Sequence, residues 1–509
     1  MKDSRSKNTM RNLKSGLFYK AIQIVFPFII RSVVIHILGA EYLGLDSLFT
    51  SILQVLNLAE LGFSSAITYS MYKPIVEKDT RTICALLKLY RKFYRIIGLV
   101  ILGGGLMALP FLKFLIDGDV PTSANIYILY LIYLVNTVLS YMMFAYKGAL
   151  LNAHQRSDII TNIQSVVNVL QYALQIVALL VFKNYYLFVV AVCVGTIINN
   201  ILLYYMAKKK YPEYVCEGTL SKEQKRDIRK RITGLMVYKI CSATRNSLDS
   251  IFISSMVGLT AVAIYSNYYM IMIAIVSIMA VLISAATASV GNSIVTESEE
   301  KNYRDMNKFN FIYMWVSGWL AICLACLYQP LMKLWMGEEN MFGVDVAIMF
   351  SVYFYVLKMG DIRALYSDAK GLWYENRFRT IAESILNVIL NAVLGYFFGV
   401  PGIIIATLIS LFIFGFGFSA RVLFKHYFVH EKVSKFFLQH AVYAAATIAI
   451  GTITYLSCSL ISIDEMFGLI LKALVCVALP NILYLLVYRN TNIFKESASF
   501  IKKILHKNR

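Results

Sequence analysis

The chain has 509 residues, of which 59% are hydrophobic and 15% are charged, and its formal net charge is +20 at pH 7. Soluble domains are about 45–50% apolar and about 25% charged, so this composition excludes an ordinary soluble protein. Membrane proteins concentrate lysine and arginine in their cytoplasmic loops, which explains the positive charge without a nucleic-acid partner.

The basic N-terminal segment 1–14 precedes an apolar run at 17–38. That run is longer than the apolar core of a signal peptide, and no small-residue cleavage site follows it. We therefore expect it to remain in the protein as the first transmembrane helix.

Fourteen apolar stretches reach the length of about 20 residues that a helix needs to cross a bilayer. The sequence therefore predicts an all-α polytopic membrane protein of about 14 transmembrane helices. The predicted spans are 15–38, 44–72, 93–116, 123–147, 158–182, 185–207, 232–257, 261–292, 309–331, 344–368, 379–398, 401–424, 437–460 and 465–488.

The loops between these spans differ in charge. Loops after even-numbered spans are basic, whereas loops after odd-numbered spans are short and either neutral or acidic, with Lys183 and Lys333 as the two exceptions. Because basic loops stay in the cytoplasm, this asymmetry predicts that both termini are cytoplasmic.

The two halves of the chain are weakly similar. The GLFYK sequence at 16–20 resembles GLMVYK at 234–239, and each opens a span that ends near a glycine. Halves with an even number of spans enter the membrane from the same side, as parallel repeats do. The predicted organisation is a cytoplasmic segment 1–14, an N-lobe 15–207 with helices 1–6, a basic cytoplasmic linker 208–231, a C-lobe 232–424 with helices 7–12, two further helices within 425–488, and a basic cytoplasmic tail 489–509.

The motif search is negative. The phosphate-binding pattern G-x-x-x-x-G-K-[ST] does not occur, so we expect neither ATP-driven transport by this chain alone nor a cofactor. Cys323 and Cys326 form a C-x-x-C pair inside an apolar span. A second pair or a nearby histidine would be needed to complete a zinc site, so we predict no metal site.

Ionisable residues at membrane depth are the main functional candidates. A charge at the bilayer centre costs about 2.5–3.5 kcal/mol even on insertion scales, so such side chains normally face a polar interior. Arginine binds phosphate through two parallel hydrogen bonds, which suggests a cationic cavity for an anionic headgroup. The predicted substrate-binding cations are Arg31, Lys239, Arg245, Lys358 and Arg363, and the predicted coupling or ion-pair carboxylates are Glu60, Asp249 and Asp361.

Structural interpretations of these residues remain open. Arg245 and Asp249 are four residues apart on one helix face, where they can form an internal ion pair. Glu60 can be the structural partner of Arg31 or can form a helix-packing hydrogen bond, and Arg363 can lie at the inner water boundary. Tyr265, Tyr268, Tyr269 and the asparagines within spans offer contacts for a sugar, or else pack and pair between helices.

Two stretches carry a resemblance to a known family. The sequence GAEYLGLDSLFTSILQVLNLAELGFSSAITYSMYKPI at 39–75 and the sequence KGLWYENRFRTIAESILNVILNAVLGYFFGVPGIIIATLIS at 370–410 resemble bacterial polysaccharide repeat-unit flippases of the Wzx type. These flippases belong to the multidrug/oligosaccharidyl-lipid/polysaccharide (MOP) exporter superfamily.

The resemblance implies two six-helix lobes that face a central cavity and alternate in access. The implied substrate is an undecaprenyl-diphosphate-linked oligosaccharide, moved from the inner to the outer leaflet of the bacterial cytoplasmic membrane for lipopolysaccharide or capsule synthesis. Arg31 and Arg245 are the best candidates for its diphosphate or for acidic sugars. Membrane lipids, a polysaccharide polymerase and chain-length machinery are the implied partners.

Three alternatives remain at this point. The first is a flippase for peptidoglycan or teichoic-type precursors, and the second is a cation-coupled multidrug antiporter. The third, a polymerase or ligase, would need catalytic groups on a large outside loop, and the predicted outside loops are short. A proton or sodium gradient acting through Glu60, Asp249 or Asp361 is one driving force, and polymerisation outside the cell is another.

Overall fold

The computed structural model describes residues 5–60, 63–116, 121, 124–154, 156–226, 228, 248–461 and 465–507. These residues are almost entirely helical, and none of them forms a strand. The predicted all-α fold class is therefore confirmed. Contacts divide the chain into an N-terminal unit, residues 1–263, and a C-terminal unit, residues 264–509.

The N-terminal unit is built from nine helical segments of the described chain. They are α1 (Arg5–Leu38), α2 (Ala40–Leu56), α3 (Phe63–Glu77), α4 (Thr80–Ala108), α5 (Ile126–Met142), α6 (Ala145–Ala153), α7 (Ser157–Leu180), α8 (Tyr185–Lys210) and α9 (248–256), with 3-10 turns at Asn57–Glu60 and Leu109–Leu115.

The C-terminal unit continues from α10, whose first residues belong to the N-terminal unit. Its helices are α10 (Leu259–Thr296), α11 (Glu299–Met336), α12 (Val344–Met359), α13 (Asp361–Lys370), α14 (Trp373–Ser410), α15 (Ser419–His426), α16 (Val433–Ser459), α17 (Glu465–Tyr488) and α18 (Asn492–Lys507). A 3-10 turn covers Glu338–Asn340, and a π-helical segment, Leu411–Phe418, joins α14 to α15.

Within the described residues, nine helices are long and apolar enough to cross a membrane, and the bent pair α5–α6 makes a tenth. One of the nine, 375–426, has 52 residues and is therefore long enough for two crossings. These helices establish a multi-pass membrane protein.

The long helix folds back on itself at the predicted GVPG loop. Gly399 has non-helical angles (φ 59°, ψ −135°), and a Cβ added to Gly402 would lie 2.0 Å from the Leu394 carbonyl oxygen. The side-chain amide of Asn387 donates to Thr407 Oγ1 at 3.1 Å across the turn. Predicted spans eleven and twelve are thus the two arms of a tight helical hairpin.

Two other predicted spans are interrupted. Span 44–72 is divided by the turn Asn57–Glu60, and span 344–368 is divided at Gly360 between α12 and α13. Each break lies beside a carboxylate, Glu60 or Asp361, that accepts a hydrogen bond from a tyrosine hydroxyl. Side-chain hydrogen bonds are therefore found where the backbone hydrogen bonds of the helix are interrupted. Most of predicted span seven, 232–257, lies outside the described residues.

Two glycines at positive φ make the sharpest helix junctions. Gly39 (φ 105°) is the single residue between α1 and α2, and Gly258 (φ 118°) precedes α10. A Cβ on Gly44 would lie 2.1 Å from the Leu259 carbonyl oxygen, so α2 packs directly on the start of α10. Gly39 and Gly258, which end corresponding spans of the two halves in the sequence, therefore also share a positive φ angle.

The last transmembrane helices pack against α11. Pro480 has no N–H to donate to the carbonyl of Cys476 one turn earlier. That carbonyl accepts instead from the indole N–H of Trp319 at 2.8 Å, and Trp315 donates to Asn481 Oδ1 at 2.9 Å. Hydrogen bonds from α11 therefore satisfy both the carbonyl that the proline frees and a side-chain amide oxygen of α17.

The start of the predicted linker 208–231 packs on the N-terminal unit. Lys147 Nζ donates to the Tyr214 carbonyl at 3.1 Å, and Tyr214 and Leu220 are buried. The His154 ring stacks on Tyr211 with centroids 4.2 Å apart. Residues 229–247 lie outside the described residues, so the predicted division into two six-helix lobes stays a prediction.

Candidate functional site

Arg31 lies in a polar cluster that joins four helices of the N-terminal unit. Its strongest electrostatic partner is Asp46 of α2, and Tyr133 and Tyr185 belong to the same environment. Tyr133 donates to Asp46 Oδ1 at 2.5 Å and lies 3.1 Å from the Tyr185 hydroxyl. We call Arg31, Asp46, Tyr133 and Tyr185 the Arg31 cluster.

Glu60 makes hydrogen bonds between helices, which is one of the two structural interpretations of this residue that the sequence left open. Its two carboxylate oxygens accept hydrogen bonds from Tyr94 of α4 and, at 2.8 Å, from Tyr141 of α5. Asp46 therefore takes the place beside Arg31 that the structural interpretation gave to Glu60. The turn Asn57–Glu60 ends α2 and directs the carboxylate toward α4 and α5.

A polar cavity of about 380 Å³ lies within the N-terminal unit. We call it the amide cavity, because six amide side chains and six hydroxyl-bearing side chains line it and none of its described lining residues is charged. The lining residues come from α1 and α3–α8 and are Tyr19, Ser64, Tyr90, Tyr94, Ser140, Gly148, Ala149, Asn152, Ile160, Gln164, Val167, Asn168, Gln171, Gly195, Thr196, Asn199, Asn200 and Leu203.

The amide cavity contains an acceptor that the described protein leaves unsatisfied. Asn199 Oδ1 is buried and has no hydrogen-bond partner among the described residues. A buried polar atom without a partner costs about 1–3 kcal/mol, so the Asn199 side chain on the cavity lining has an unmet hydrogen-bonding capacity. Gly195 keeps room for Gln171, whose Oε1 would lie 2.4 Å from a Cβ added there.

Tyr94 connects the amide cavity to Glu60. Its ring lines the cavity and stacks on Tyr90 with centroids 4.4 Å apart, while its hydroxyl donates to the Glu60 carboxylate. Tyr94 therefore joins the Glu60 carboxylate to a wall of the cavity through one hydrogen bond.

In the C-terminal unit, Lys358 and Asp361 form an ion pair at the break between α12 and α13. Lys358 Nζ lies 2.7 Å from Asp361 Oδ2, and Tyr313 donates to the same oxygen at 2.6 Å. The structure thus pairs a predicted cation with a predicted carboxylate. Lys358 is buried, so its positive charge would be costly without a partner, and the ion pair with Asp361 compensates it.

Arg363 lies two residues after Asp361 in α13 and is only 6% exposed. Its Nη2 donates to the Gly415 carbonyl in the π-helical segment at 3.1 Å, but its Nε has no hydrogen-bond partner among the described residues. Arg379 binds Glu383 at 3.2 Å, and its Nε also lacks such a partner. Two guanidinium groups with unsatisfied donors form a potential anion site.

The remaining predicted residues are less defined. Asp249 lies in α9 and is buried, with 2% of its surface exposed. Lys239 and Arg245 lie outside the described residues, so the expected pair of Arg245 with Asp249 stays a prediction. Tyr265 and Tyr268 of α10 are buried against Phe350, which fits the packing interpretation of this tyrosine group.

Sequence reasoning missed three components. Asp46 lies two residues inside a predicted span, where a carboxylate gives no strong signal because it can reach water. Arg379 begins the predicted span 379–398, where a charged side chain is expected to reach cytoplasmic water and gives no signal of a site. The amide cavity collects side chains from seven helices, so no single stretch of the sequence predicts it.

Solved structures show the same fold. A structure of the lipid II flippase MurJ, in an inward closed conformation, aligns with a TM-score of 0.65 at 14% identity and covers 94% of this chain and 99% of that chain. An inward-facing multidrug resistance MATE family transporter of the MOP superfamily aligns at 0.61 and 16% identity, over 79% and 94% of the two chains. The Vibrio cholerae MATE transporter VcmN, in its bent form, aligns at 0.52 and 14%, over 86% and 99%.

At these identities the similarity establishes a shared fold, and it agrees with the resemblance to MOP exporters found in the sequence. No curated protein sequence matches the chain. A family model described as "Polysaccharide biosynthesis protein" matches residues 10–288, which is more than half of the chain. The chain therefore belongs to the polysaccharide biosynthesis protein family.

Proposed function

We propose that this protein moves undecaprenyl-diphosphate-linked oligosaccharide repeat units from the inner to the outer leaflet of a bacterial cytoplasmic membrane by alternating access. In this role it is a transporter without catalytic chemistry. It has both termini in the cytoplasm and acts beside a polysaccharide polymerase and chain-length machinery. Family membership places the chain in polysaccharide synthesis, and the fold is shared with a flippase and with exporters.

The amide cavity is the observation that carries this proposal. Ligand sites usually have volumes of about 300–1,000 Å³ and a few well-placed polar groups, and the cavity volume is about 380 Å³. Neutral amides and hydroxyls both donate and accept hydrogen bonds, as sugar hydroxyls require. A cationic drug would favour carboxylates on the lining, and the described lining has none.

The anionic diphosphate needs cations as well. Arg31 and Arg363 are the described candidates, and Arg363 has the buried Nε that no described residue satisfies. Lys358 is held by Asp361, so it contributes mainly to the structure of the α12–α13 break. Lys239 and Arg245 remain candidates from the sequence alone.

A specific observation also favours a second candidate, the movement of a peptidoglycan-type lipid precursor. The MurJ structure aligns over nearly the whole length of both chains. Such a precursor shares the lipid diphosphate with the first candidate, so the cation sites serve both. The headgroup beyond the diphosphate distinguishes the two cargoes, and in this proposal its sugar binds in the amide cavity.

The test uses purified full-length protein in proteoliposomes with a fluorescent undecaprenyl-diphosphate oligosaccharide. We expect wild type to move this lipid and Asn199→Leu to slow it about tenfold, since one good hydrogen bond is worth about 1.5 kcal/mol. Asn136→Leu is the matched control. Asn136 Oδ1 is also buried without a described partner, but it does not line the cavity. Equal rates for Asn199→Leu and wild type would contradict the assigned site.

Arg363 is tested in the same vesicles. We expect Arg363→Gln to lose most transport of the diphosphate lipid, and Arg363→Lys to recover only part of it, because lysine cannot form the paired hydrogen bonds. Fully active Arg363→Gln would exclude this residue from anion binding.

Substrate class is then decided with three cargoes: the oligosaccharide lipid, a lipid II-type precursor, and a cationic dye under a sodium or proton gradient. Movement of the dye alone would overturn the flippase proposal and turn attention to Glu60, Asp249 and Asp361 as coupling residues. If transport of the oligosaccharide lipid ceases when one of the two gradients, sodium or proton, is collapsed, that gradient identifies the coupling ion.

A further inference from the structure

Four cysteines from three helices meet in the C-terminal unit. Cys323 and Cys326 lie on α11, Cys458 lies near the end of α16, and Cys476 lies in the middle of α17. The sulfur atoms of Cys326, Cys458 and Cys476 all lie within 4.8 Å of one another. We call these three residues the thiol cluster.

The geometry of the thiol cluster suits a bound metal ion. Zinc–thiolate bonds are about 2.3 Å long, so two sulfurs of a tetrahedral site are about 3.8 Å apart. Cys458 Sγ lies 3.8 Å from Cys476 Sγ. All seven cysteines that the structure describes are free thiols, and the three of the cluster are buried.

Cys323 lies at the edge of the cluster. Its thiol donates to the Cys476 carbonyl at 3.7 Å, the carbonyl that Pro480 leaves without a helical partner. Cys323 lies one helical turn before Cys326 on the same face of α11. A small rotation of its side chain would offer a fourth sulfur, which a tetrahedral ion requires.

We propose that Cys326, Cys458 and Cys476, with Cys323 as the fourth ligand, bind one thiophilic metal ion that fastens α16 and α17 to α11. Sulfur-only donors select soft ions such as zinc or copper(I) over magnesium or calcium. Lys472, one turn before Cys476, interacts electrostatically with Cys458 and offsets part of the negative charge of a metal–thiolate group.

The sequence prediction of no metal site depended on the lack of a second cysteine pair nearby. The fold supplies the missing sulfurs from residues more than a hundred positions away along the chain. Cys458 is the second-to-last residue of α16, so the cluster lies close to the end of a helix, where an ion can enter.

The experiment uses full-length protein purified in detergent under reducing conditions, then exposed separately to Zn²⁺ and Cu⁺ and desalted. We expect wild type to retain about one ion per chain by mass spectrometry of the metal. Cys458→Ser and Cys476→Ser should lose it. Cys193→Ser, which removes a thiol of the N-terminal unit, is the matched control and should retain it. Co²⁺ should give sulfur-to-cobalt charge-transfer absorption in wild type and in the control only.

A second measurement avoids the folding of variants. In wild-type protein, the bound ion should protect the three cluster cysteines, but not Cys193, from alkylation mapped by peptide mass spectrometry. Unchanged alkylation with and without metal would overturn the proposal, as would metal retention by Cys476→Ser equal to wild type.

Discussion

Asp46 provides the most direct test of the Arg31 cluster, because one substitution separates its charge from its hydrogen bond. Asp46→Asn keeps an oxygen that can accept from the Tyr133 hydroxyl, now 2.5 Å away, but it removes the charge that faces Arg31. Removing one partner of a buried ion pair costs about 3–5 kcal/mol. Arg31 and Asp46 are only half-buried, so we expect a loss near the lower end, about 3 kcal/mol.

This loss should appear in the N-terminal unit alone. In domains of about 150–250 residues each kcal/mol shifts Tm by roughly 2–4 °C, so we expect a fall of about 6–12 °C. All four tryptophans lie at or beyond residue 315, so intrinsic fluorescence monitors the C-terminal unit as an internal control. Temperature-dependent alkylation of Cys84 and Cys193, read by mass spectrometry, monitors the N-terminal unit.

A double-mutant cycle completes the test. Arg31→Gln should lower the free energy of unfolding by a similar amount. The double variant Arg31→Gln/Asp46→Asn should lose less stability than the two single variants lose together, by a coupling energy of about 1–3 kcal/mol. Two additive losses, or an Asp46→Asn variant as stable as wild type, would refute an ion pair at this position and leave Asp46 as a hydrogen-bond acceptor only.

Two further predictions concern the packing of the N-terminal unit. Burial lowers the pKa of His154 below its usual 6.5, although the negative charge of Glu213 acts in the opposite direction. Because protonation is disfavoured while His154 stacks on Tyr211, protonation favours a form in which the segment that carries Tyr211 has separated from His154. We expect the hydrogen-exchange protection factors at 211–216, which are corrected for intrinsic exchange at each pH, to fall as pH drops below about 6.5, and His154→Phe to abolish this dependence. An unchanged pH response of the protection factors in that variant would contradict the mechanism. Gly44→Ala should lose about 1–3 kcal/mol because its Cβ would meet the Leu259 backbone, whereas Gly103→Ala, which has open space, should be neutral or stabilising in the same thermal assay.

The helices could be predicted because apolar runs and glycines, which determine where a membrane helix begins and ends, are visible in short stretches of sequence. Apolar runs determined most helices, and the glycines at 39, 258 and 399 mark sharp junctions whose positive φ suits a residue without a Cβ. The breaks beside Glu60 and Asp361 could not be predicted in this way. Their carboxylates bind tyrosines that are 34, 81 and 48 residues away along the chain.

The candidate site shows the same limit. An arginine in an apolar span predicts that polar side chains surround it, but the sequence does not indicate which acidic residue lies beside it. Asp46 and Glu60 both lie near Arg31 in the sequence, and the tyrosines of α4, α5 and α8 decide between them. The amide cavity gives no local signal at all, since single asparagines in membrane helices more often pair with a neighbouring helix.

The hydrogen bonds between α11 and α17 bear on whether the last helices could be removed. The Trp315 and Trp319 indoles donate to Asn481 and to the Cys476 carbonyl. A chain truncated before α16 would leave both N–H groups facing hydrocarbon, and each unsatisfied group in lipid costs several kcal/mol. The final helices therefore complete the hydrogen bonding of α11, and their removal should destabilise it.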